Sequence, residues 1–349
     1  MAKPLVAVIG YTGGVGTCLL QAMEKIGLKP FALVRSTTMK ISKNTGDDLS
    51  SFGEAVPVDY GELGKQLLQA SNASGMVPVI ADVTASLAPQ QQYKNWLSQG
   101  ISVVAANKYI FAGPEQEYKE LLEAAAATPP SRLLHETTVG AGLPVLGTLQ
   151  GLKASSHNIL LVEGVLSGTL AFVLGAVAGG KKPLSQAVKE AKDLGYTEPD
   201  PRDDLNGMDV ARKAVILARL SGMEGVELGG MDIESLVPES LRDCSVDEFL
   251  EGLSAFDNDF ASRVAKVEEA GGRLHYAAKV DVSQNKVTVG PLACEASHPF
   301  NNAGPDNMVA ITTNFYTRPL VVQGAGAGGD VTATGVLADI LQCAYQRSP

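Results

Sequence analysis

The residues best suited to do chemistry lie in one charged stretch at 195–213, GYTEPDPRDDLNGMDVARK, which holds five acids and three bases. Asp209 and Lys213 are four residues apart, so a helix would place the carboxylate and the amine on one face. Glu198 lies in the proline-rich loop before that helix and could supply a carboxylate for a substrate ammonium group. Two acids and a base would then surround one small polar molecule, an arrangement suited to acid–base chemistry.

Two other interpretations of the charged stretch remain open. An exposed Asp–Lys pair at this spacing contributes only about 0.3 kcal/mol to a helix and needs no function. A divalent-metal site is the second, although the acids match no calcium loop and a lysine among them opposes such an ion. The helix also has a broad apolar face that predicts packing on a core, formed by Val210, Ala214, Ile216, Leu217 and Leu220.

Part of the charged stretch is expected to be structural. Its two prolines favour an extended loop. Asp203, Asp204 or Asn206 can cap a helix that begins near Leu205. Only some of the five acids are therefore candidates for the site.

A second candidate site is the glycine-rich turn VIGYTGGVG at 8–16. It lies between a strand pattern and a helix pattern, where backbone N–H groups at a helix N-terminus can bind the pyrophosphate of a dinucleotide. The G-x-x-G-x-x-G spacing is one residue longer than the usual fingerprint, so a tight turn without a ligand is the alternative. The predicted cofactor-binding residues of this turn are Gly10, Gly13, Gly14, Val15 and Gly16.

The segment after the second predicted strand bears on the choice of cofactor. Arg35 follows FALV directly, Lys40 and Lys43 come next, and no acid precedes Asp47. Enzymes that prefer NAD usually have an acid here for the ribose hydroxyls, whereas cations suit a 2′-phosphate. The segment favours NADP(H) over NAD(H), and a solvated basic loop is the alternative interpretation.

The elements that must position these residues follow from the apolar runs. Residues 1–145 alternate short apolar runs with helical patterns, which is typical of an α/β fold with a Rossmann-type parallel sheet. Residues 146–318 predict a mixed α+β catalytic and dimerisation domain, with a hairpin between RLHYAAKVDV and KVTVGPLA. Residues 319–349 predict a strand, a glycine loop and a helix that return to the nucleotide-binding domain.

Composition excludes several classes of function. The net charge of −10 argues against non-specific attraction to nucleic acid or anionic membrane. No apolar run approaches the length of a membrane span, and no signal peptide is recognisable at the N-terminus, so we expect a cytoplasmic protein. Zinc binding is not expected, because the four cysteines and four histidines are scattered without ligand spacing.

These motifs give the sequence a resemblance to homoserine dehydrogenases. The stretch 195–213 resembles the substrate loop and catalytic helix of that family almost residue for residue. The resemblance covers essentially the whole chain, and the glycine turn, with its extra residue, is the main departure. Four further segments carry the resemblance to this family: VVAANK (103–108), HETTVGAGLPVLGTL (135–149), EGVLSGTLAFVL (163–174) and QGAGAGGDVTATGVLADIL (323–341).

The resemblance implies interconversion of L-homoserine and L-aspartate 4-semialdehyde with NAD(P), on the route to threonine and methionine. By motif position, Lys213 would donate and accept the proton at the substrate oxygen, with Asp209 beside that oxygen and Glu198 at the amino group. Lys108 would reach the same polar centre from the nucleotide-binding domain, so the choice between the two lysines stays open.

The family's cofactor contacts map onto four further positions by the same resemblance. They are Thr84, Lys108, Gly195 and Gly328. For the two glycines the alternative is a simple turn, and for Thr84 it is a strand-end hydroxyl bonded to the backbone.

The resemblance also implies a monovalent cation and a homodimer. In relatives the HETTVGAGL loop binds a cation, usually Na⁺, through backbone carbonyls, which here would be those of Glu136, Val139, Ala141 and Leu143. Hard oxygen ligands suit such an ion. The chain ends at Pro349, so we expect neither the C-terminal regulatory domain nor the fused kinase of some relatives, and no feedback inhibition through them.

Two other functions compete with this interpretation. An NADP-dependent semialdehyde dehydrogenase would need a nucleophilic cysteine beside a base, and no cysteine of this sequence has that context. A non-catalytic NADP-sensing protein would use the same N-terminal fold but would not depend on Lys213.

Overall fold

The computed structural model describes residues 3–44, 51–128, 131–302 and 304–345. It divides the chain into two compact units, of which unit 1 comprises Met1–Pro144 with Ala327–Pro349, and unit 2 comprises Val145–Gly326. Asp47, which bears on the cofactor prediction, lies outside the described residues. Within them, no helix is both long and apolar enough to cross a membrane.

Strands and helices alternate through the first part of the chain, as the apolar runs predict. The strands are β1 (Pro4–Ile9), β2 (Pro30–Val34), β3 (Thr38–Ile41), β4 (Val56–Pro57), β5 (Val77–Asp82), β6 (Ser102–Ala105), β7 (Leu133–Leu134), β8 (Ile159–Val165), β9 (Asp232–Ile233), β10 (Arg273–Asp281), β11 (Lys286–Cys294), β12 (Asn307–Thr313) and β13 (Leu320–Gly324). The α-helices are α1 (Gly14–Lys25), α2 (Tyr60–Ser74), α3 (Tyr93–Ser98), α4 (Tyr109–Ala112), α5 (Glu115–Ala127), α6 (Leu146–Ala154), α7 (Gly168–Val177), α8 (Leu184–Asp193), α9 (Arg202–Leu205), α10 (Met208–Ser221), α11 (Val246–Gly252), α12 (Asp257–Glu269) and α13 (Gly329–Tyr345).

Unit 1 is built on a sheet with the strand order β4-β3-β2-β1-β5-β6-β7. The five strands from β2 to β7 run parallel, whereas β3 and β4 form an antiparallel edge. β1 and β5 are buried at every position, which explains why they read as continuous apolar runs. The predicted Rossmann-type sheet is confirmed.

The C-terminal helix α13 belongs to unit 1. Its side chains Ala333, Val336 and Ile340 are fully buried in one cluster with Val6 of β1 and Leu19 of α1. α13 packs along α1 and against β1, β5 and β6. α13 therefore packs on the first sheet, to which the chain end was predicted to return.

The prediction is wrong for the strand before that helix. β13 pairs antiparallel with β12, in the sheet of unit 2. The short connection at 314–319 lets the chain fold straight back on the preceding strand, which is the simplest pairing for consecutive antiparallel strands. The chain therefore passes from unit 2 back to unit 1 between Gly326 and Ala327, in the glycine loop after β13, rather than at the predicted residue 319.

Unit 2 contains a mixed sheet with the order β13-β12-β8-β10-β11-β9. All neighbouring pairs are antiparallel except β9 with β11. β10 and β11 form the predicted hairpin. α10 packs against both of these strands, so the helix that carries Asp209 and Lys213 rests on the sheet.

Candidate functional site

The catalytic-helix candidate α10 begins three residues later than predicted. A separate turn, α9, ends at Leu205, and Gly207 then adopts a left-handed conformation with φ +76°. A Cβ on Gly207 would lie 2.0 Å from the Tyr276 hydroxyl oxygen, so only glycine fits there. The N-cap of α10 is Gly207 and that of α9 is Pro201, so the prediction that Asp203, Asp204 or Asn206 caps the helix is wrong. Asn206 Oδ1 instead accepts a hydrogen bond from the Met208 N–H at 2.8 Å and closes a local turn before α10.

Lys213 and Asp209 form an ion pair on the first two turns of α10. Lys213 Nζ lies 2.7 Å from Asp209 Oδ2 and donates a hydrogen bond to the Leu166 carbonyl oxygen at 2.6 Å. Lys213 is only 8% exposed. This geometry differs from that of a solvated surface pair, because the ammonium group is buried and held from two sides.

The loop before α9 is organised by Asp204. Its Oδ2 accepts a hydrogen bond from the Glu198 N–H at 2.8 Å. Thr169 Oγ1, on the first turn of α7, lies 3.0 Å from Asp204 Oδ1 and 2.6 Å from the Tyr196 carbonyl oxygen, to which it donates. Burial, with the negative charges of Glu198 and Asp209 nearby, raises the pKa of the Asp204 carboxyl.

Asp204 is a site residue that the sequence interpretation treated only as a possible cap. Asp203, its neighbour, is exposed, and nothing in the spacing distinguishes the two. The one usable signal is the segment EGVLSGTLAFVL, which supplies Thr169 and which the family resemblance had already marked. Glu198, Asp204, Asp209 and Lys213 all belong to unit 2.

The rest of the charged stretch is structural. Arg202 Nη2 lies 2.7 Å from Asp200 Oδ2, and Nη1 donates to the carbonyl oxygens of Arg242 and Cys244 at 3.0 and 2.6 Å. The Arg202 guanidinium lowers the pKa of the Asp200 carboxyl. Gly195 lies just beyond α8 with φ +74° and has open space where a Cβ would lie; the positive φ by itself favours a glycine here, and the cofactor contact stays a prediction.

The glycine turn after β1 is a close-packed strand-to-helix connection in unit 1. A Cβ on Gly16 would lie 2.2 Å from the Gly10 carbonyl oxygen, and Gly10, at φ +89°, has the Thr84 methyl 2.7 Å from its own Cβ position. Gly13 donates its N–H to the Gly10 carbonyl at 3.0 Å. Gly14 has no atom within 4 Å of its Cβ position.

The N-terminus of α1 fits a phosphate group. No side chain caps the helix there, and its first turn contains no acid. An uncapped helix start with glycines facing open space presents backbone N–H groups to an anion. Val15, also predicted as a cofactor contact, is half-buried and packs on the core of unit 1.

A second glycine segment lies beside this turn. Gly328, at φ +121°, precedes α13. A Cβ on Gly329 would lie 3.0 Å from Cys18 Sγ and 3.4 Å from the Gly14 carbonyl oxygen. Two distant glycine-rich motifs, both matched to cofactor contacts, are thus neighbours at one edge of unit 1.

Arg35 lies in the turn between β2 and β3. Its Nε donates to Thr38 Oγ1 at 2.7 Å, and its side chain is exposed. Lys40 is exposed on β3, and Lys43 is exposed just beyond it. Arg35 lies at the carboxyl end of β2, where a Rossmann-type domain binds the adenosine ribose. Because β3 runs antiparallel to β2, Lys40 lies opposite Leu33 and Lys43 lies toward the amino end of β2.

Thr84 and Lys108 follow the carboxyl ends of β5 and β6. Thr84 Oγ1 donates to Asp82 Oδ1 at 2.7 Å and accepts the Ser86 N–H at 3.2 Å, so its hydroxyl is part of a local turn. The Thr84 methyl carbon lies 2.7 Å from the position that a Cβ on Gly10 would take, so it leaves no room for a side chain there. Lys108 is half-buried immediately before α4.

The predicted cation loop contains two consecutive residues in the left-handed region. They are Gly140 at φ +81° and Ala141 at φ +54°, and the Leu143 N–H closes a tight turn on the Gly140 carbonyl at 3.0 Å. Val139 and Ala141 are buried, whereas Glu136 and Leu143 are half-buried. Among the residues that the structure describes, no cluster of three or more acidic, His or Cys side chains could hold a metal ion, so this loop would act through carbonyls.

The same loop is attached to α13. The Glu136 N–H donates to Asp339 Oδ2 at 3.0 Å, and burial raises the pKa of the Asp339 carboxyl to about 7. A Cβ on Gly142 would lie 2.3 Å from the Val331 carbonyl oxygen. Sequence reasoning missed Asp339, because a single acid in an apolar helix gives no sign of its partner.

The cysteines do not have the surroundings of a nucleophile. Cys294 and Cys343 are buried, and burial raises the pKa of the Cys294 thiol to about 12. A hydrogen bond with Asp330 raises the pKa of the Cys18 thiol. Cys244 donates its thiol to the Leu241 carbonyl at 3.3 Å. Thiolate chemistry, which a semialdehyde dehydrogenase requires, is disfavoured.

Comparison with known proteins identifies both parts of the chain. The family model described as homoserine dehydrogenase matches residues 144–341, and the model for the NAD-binding domain of homoserine dehydrogenase matches residues 10–134. The homoserine dehydrogenase of Schizosaccharomyces pombe is 38% identical over 360 residues, covering 98% of this chain and 95% of that protein.

Two further relatives extend the comparison. A bifunctional aspartokinase/homoserine dehydrogenase 2 from Zea mays is 40% identical over 342 residues, which cover 95% of this chain and 37% of that protein. The chain therefore spans little more than a third of the length of this plant relative. A hyperthermophilic archaeal homoserine dehydrogenase mutant, solved in complex with NADPH, superposes with a TM-score of 0.73 at 25% identity, covering 99% of both chains. On the family models and the near full-length yeast match, the chain belongs to the homoserine dehydrogenase family.

Proposed function

We propose that this protein catalyses the reversible oxidation of L-homoserine to L-aspartate 4-semialdehyde, with NADP(H) preferred over NAD(H). The observation that carries the proposal is the buried Lys213 ammonium, held by Asp209 and the Leu166 carbonyl at the start of α10. An alcohol can lose hydride only if its hydroxyl proton leaves as well, and an amine beside the hydroxyl provides for that step.

Lys213 is the proposed acid–base group. In the oxidation direction the neutral form of the Lys213 amine accepts the hydroxyl proton of homoserine and becomes an ammonium group, and in the reduction direction the ammonium form returns that proton to the aldehyde oxygen. Asp209, 2.7 Å from the Lys213 amine, orients that amine. Lys108, directly before α4, is the second candidate for contact with the same oxygen.

Glu198 is the proposed partner of the substrate ammonium group. The hydrogen bond from the Glu198 N–H to Asp204 supports this role, because it fixes the loop that carries the Glu198 side chain. Asp204 adds a second carboxylate to the same part of unit 2. A cluster of acids with one buried lysine matches the charges of a zwitterionic amino acid that carries an alcohol.

The proposed cofactor site is the edge of unit 1 where the two glycine segments meet. When bound, the nicotinamide supplies the hydride acceptor for the reaction. The uncapped start of α1 would hold the pyrophosphate, Gly328 and Thr84 would line the site, and Arg35 with Lys40 would attract the 2′-phosphate. The NADPH complex of the archaeal relative supports the same cofactor.

Three further features belong to the proposal. Backbone carbonyls of Glu136, Val139, Ala141 and Leu143 would bind a monovalent cation, for which the consecutive left-handed residues at 140 and 141 are the supporting feature. A homodimer would form through the sheet of unit 2. We also propose that the protein is cytoplasmic.

The decisive experiment follows the absorbance of the reduced nicotinamide with L-homoserine and either NAD⁺ or NADP⁺. We expect turnover with both, and a higher kcat/KM with NADP⁺. Absence of turnover with either cofactor would refute the function. A kcat/KM with NAD⁺ equal to or above that with NADP⁺ would refute only the cofactor preference.

The lysine assignment is tested by replacing each amine with methionine. Lys213→Met should lower kcat far more than Lys108→Met if Lys213 moves the proton. NADPH affinity, measured by fluorescence titration, should stay unchanged in Lys213→Met. An NADP-sensing protein without activity would show neither turnover nor any dependence on Lys213.

A further inference from the structure

A continuous chain of polar groups connects the carboxyl ends of β5 and β6 in unit 1. It begins at Asp82, which ends β5 and is fully buried. Asp82 accepts hydrogen bonds from the Thr84 N–H at 2.9 Å, the Thr84 hydroxyl at 2.7 Å and the Tyr93 hydroxyl at 2.6 Å. The Thr84 hydroxyl oxygen in turn accepts the Ser86 N–H at 3.2 Å.

Asn107 connects this turn to the next strand end. Asn107 Nδ2 donates to the Ser86 carbonyl oxygen at 3.0 Å, and Oδ1 accepts the Tyr109 N–H at 3.1 Å. Only one orientation of the amide satisfies both bonds, because one needs a donor and the other an acceptor. Asn107 is 5% exposed, so water cannot readily replace either bond.

The two ends of this chain of groups are both candidate site elements. At one end, the Thr84 methyl lies 2.7 Å from the Cβ position of Gly10, beneath the glycine turn. At the other end, Lys108 is the residue between Asn107 and Tyr109, and the Tyr109 N–H bond sets the start of α4. A displacement of Asn107 would therefore affect the cofactor-side turn 84–86 and the Lys108 backbone together.

We propose that Asn107 is a positioning residue that couples the turn 84–86 to Lys108 through its two amide hydrogen bonds. The part of this inference that concerns Lys108 rests on the proposed function. The part that concerns the geometry of the turn 84–86 does not. The Ser86 carbonyl has a second, weaker donor in Gln90 Nε2 at 3.4 Å. Loss of Asn107 is therefore expected to loosen the turn without abolishing it.

Two substitutions at Asn107 distinguish the contributions of its two side-chain hydrogen bonds. Asn107→Asp keeps an acceptor for the Tyr109 N–H and loses the donor to Ser86, whereas Asn107→Ala loses both. We expect both variants to raise the Kd for NADPH, measured by fluorescence titration, about fivefold. We expect kcat at saturating cofactor to fall about fivefold further in Asn107→Ala than in Asn107→Asp.

A double-mutant cycle tests the coupling itself. Thr84→Val removes the hydroxyl that accepts the Ser86 N–H, and it should raise the Kd for NADPH by a similar factor. If both residues act through the turn 84–86, the double variant Thr84→Val/Asn107→Ala should bind NADPH about five- to tenfold more weakly than wild type. Independent effects would multiply to about 25-fold, and that result would overturn the proposal.

The control is Asn95→Asp on the exposed face of α3, where the same change should alter neither Kd nor kcat. Thermal unfolding of every variant identifies simple misfolding, which would reduce the active fraction without changing the Kd of the folded molecules. An unchanged Kd in folded Asn107→Ala would overturn the inference. If the wild-type protein did not oxidise homoserine, the proposed function would fail. The NADPH titrations would still decide whether Asn107 positions the turn 84–86.

Discussion

The glycine turn of unit 1 offers backbone groups to a ligand, whereas the charged stretch of unit 2 offers side chains. The glycine turn offers backbone N–H groups at the start of α1, and a side chain is excluded at Gly16, since a Cβ there would lie 2.2 Å from a carbonyl oxygen. The charged stretch offers side chains, and its central amine is buried by a helix and a neighbouring carbonyl.

This contrast decides how each region responds to change. A backbone site depends on shape, so a methyl group in the wrong place should damage folding and binding together. A side-chain site depends on chemistry, so loss of one functional group should damage turnover while the fold and the cofactor site persist. The four predictions below test that distinction.

The largest effect is expected from removing the Lys213 amine. Lys213→Met keeps most of the side-chain volume on α10 but cannot move a proton, so kcat should fall about 10²- to 10⁴-fold with an unchanged Kd for NADPH. Steady-state kinetics with L-homoserine and a fluorescence titration measure the two quantities. Lys189→Met, at an exposed position of α8, is the matched control; a comparable loss of turnover there would remove the special role of Lys213.

The next effect is expected from a pair of alanine substitutions in the glycine turn. Gly16→Ala places a methyl group against the Gly10 carbonyl and should reduce the free energy of unfolding by about 1–3 kcal/mol, with a large loss of NADPH affinity. Gly14→Ala meets no atom in the free protein, so its stability should be unchanged while NADPH affinity falls about tenfold through contact with the phosphates. Thermal unfolding and NADPH titration distinguish the two, and unchanged affinity in Gly14→Ala would show that the pyrophosphate lies elsewhere.

A smaller effect is expected at the turn after β2. Arg35→Ala removes the first cation of the proposed 2′-phosphate site and should raise the KM for NADP⁺ about tenfold while leaving that for NAD⁺ nearly unchanged. Lys29→Ala, exposed in the same unit, controls for the general loss of positive charge. Equal changes in both KM values would mean that Arg35 does not contact the 2′-phosphate.

The smallest effect is expected at the support of Glu198. Asp204→Asn weakens the acceptor for the Glu198 N–H and should raise the KM for homoserine about fivefold, with a smaller change in kcat. Asp203→Asn changes the exposed neighbour and should have no effect. If the two variants behaved alike, the Asp204 hydrogen bond would not position the substrate loop.

The sequence predicted side-chain chemistry better than it predicted boundaries. The Asp209–Lys213 pair follows from helical spacing, which depends only on local geometry. The start of α10 did not follow, because Gly207 is required by the Tyr276 hydroxyl on β10, far away in sequence. The partner strand of β13 also could not be read from its composition, since an apolar run of five residues suits either sheet.

Site residues that act through others were the hardest to recognise. Asp82 ends an apolar strand and Asn107 precedes Lys108, but Asp82 is bonded to the Tyr93 hydroxyl and Asn107 to the Ser86 carbonyl, and sequence spacing connects neither pair. Asp204 and Asp203 are chemically identical neighbours, and only the fold places one of them, half-buried, against Thr169. Polar residues of this kind have no pattern, because their partners are chosen by tertiary packing.

By itself, the sequence determined the alternation of strands and helices in unit 1, the family of the protein and the residue types at its two candidate sites. These features depend on local periodicity and on motifs whose members are close together in the chain. Only the tertiary structure decided which sheet takes β13, that the glycine segments at 10–16 and 328–329 are neighbours, and that the Lys213 amine is buried on a carbonyl of residue 166. Each of these facts joins distant parts of the chain, and the free energy that selects such contacts comes from packing, which no local pattern encodes.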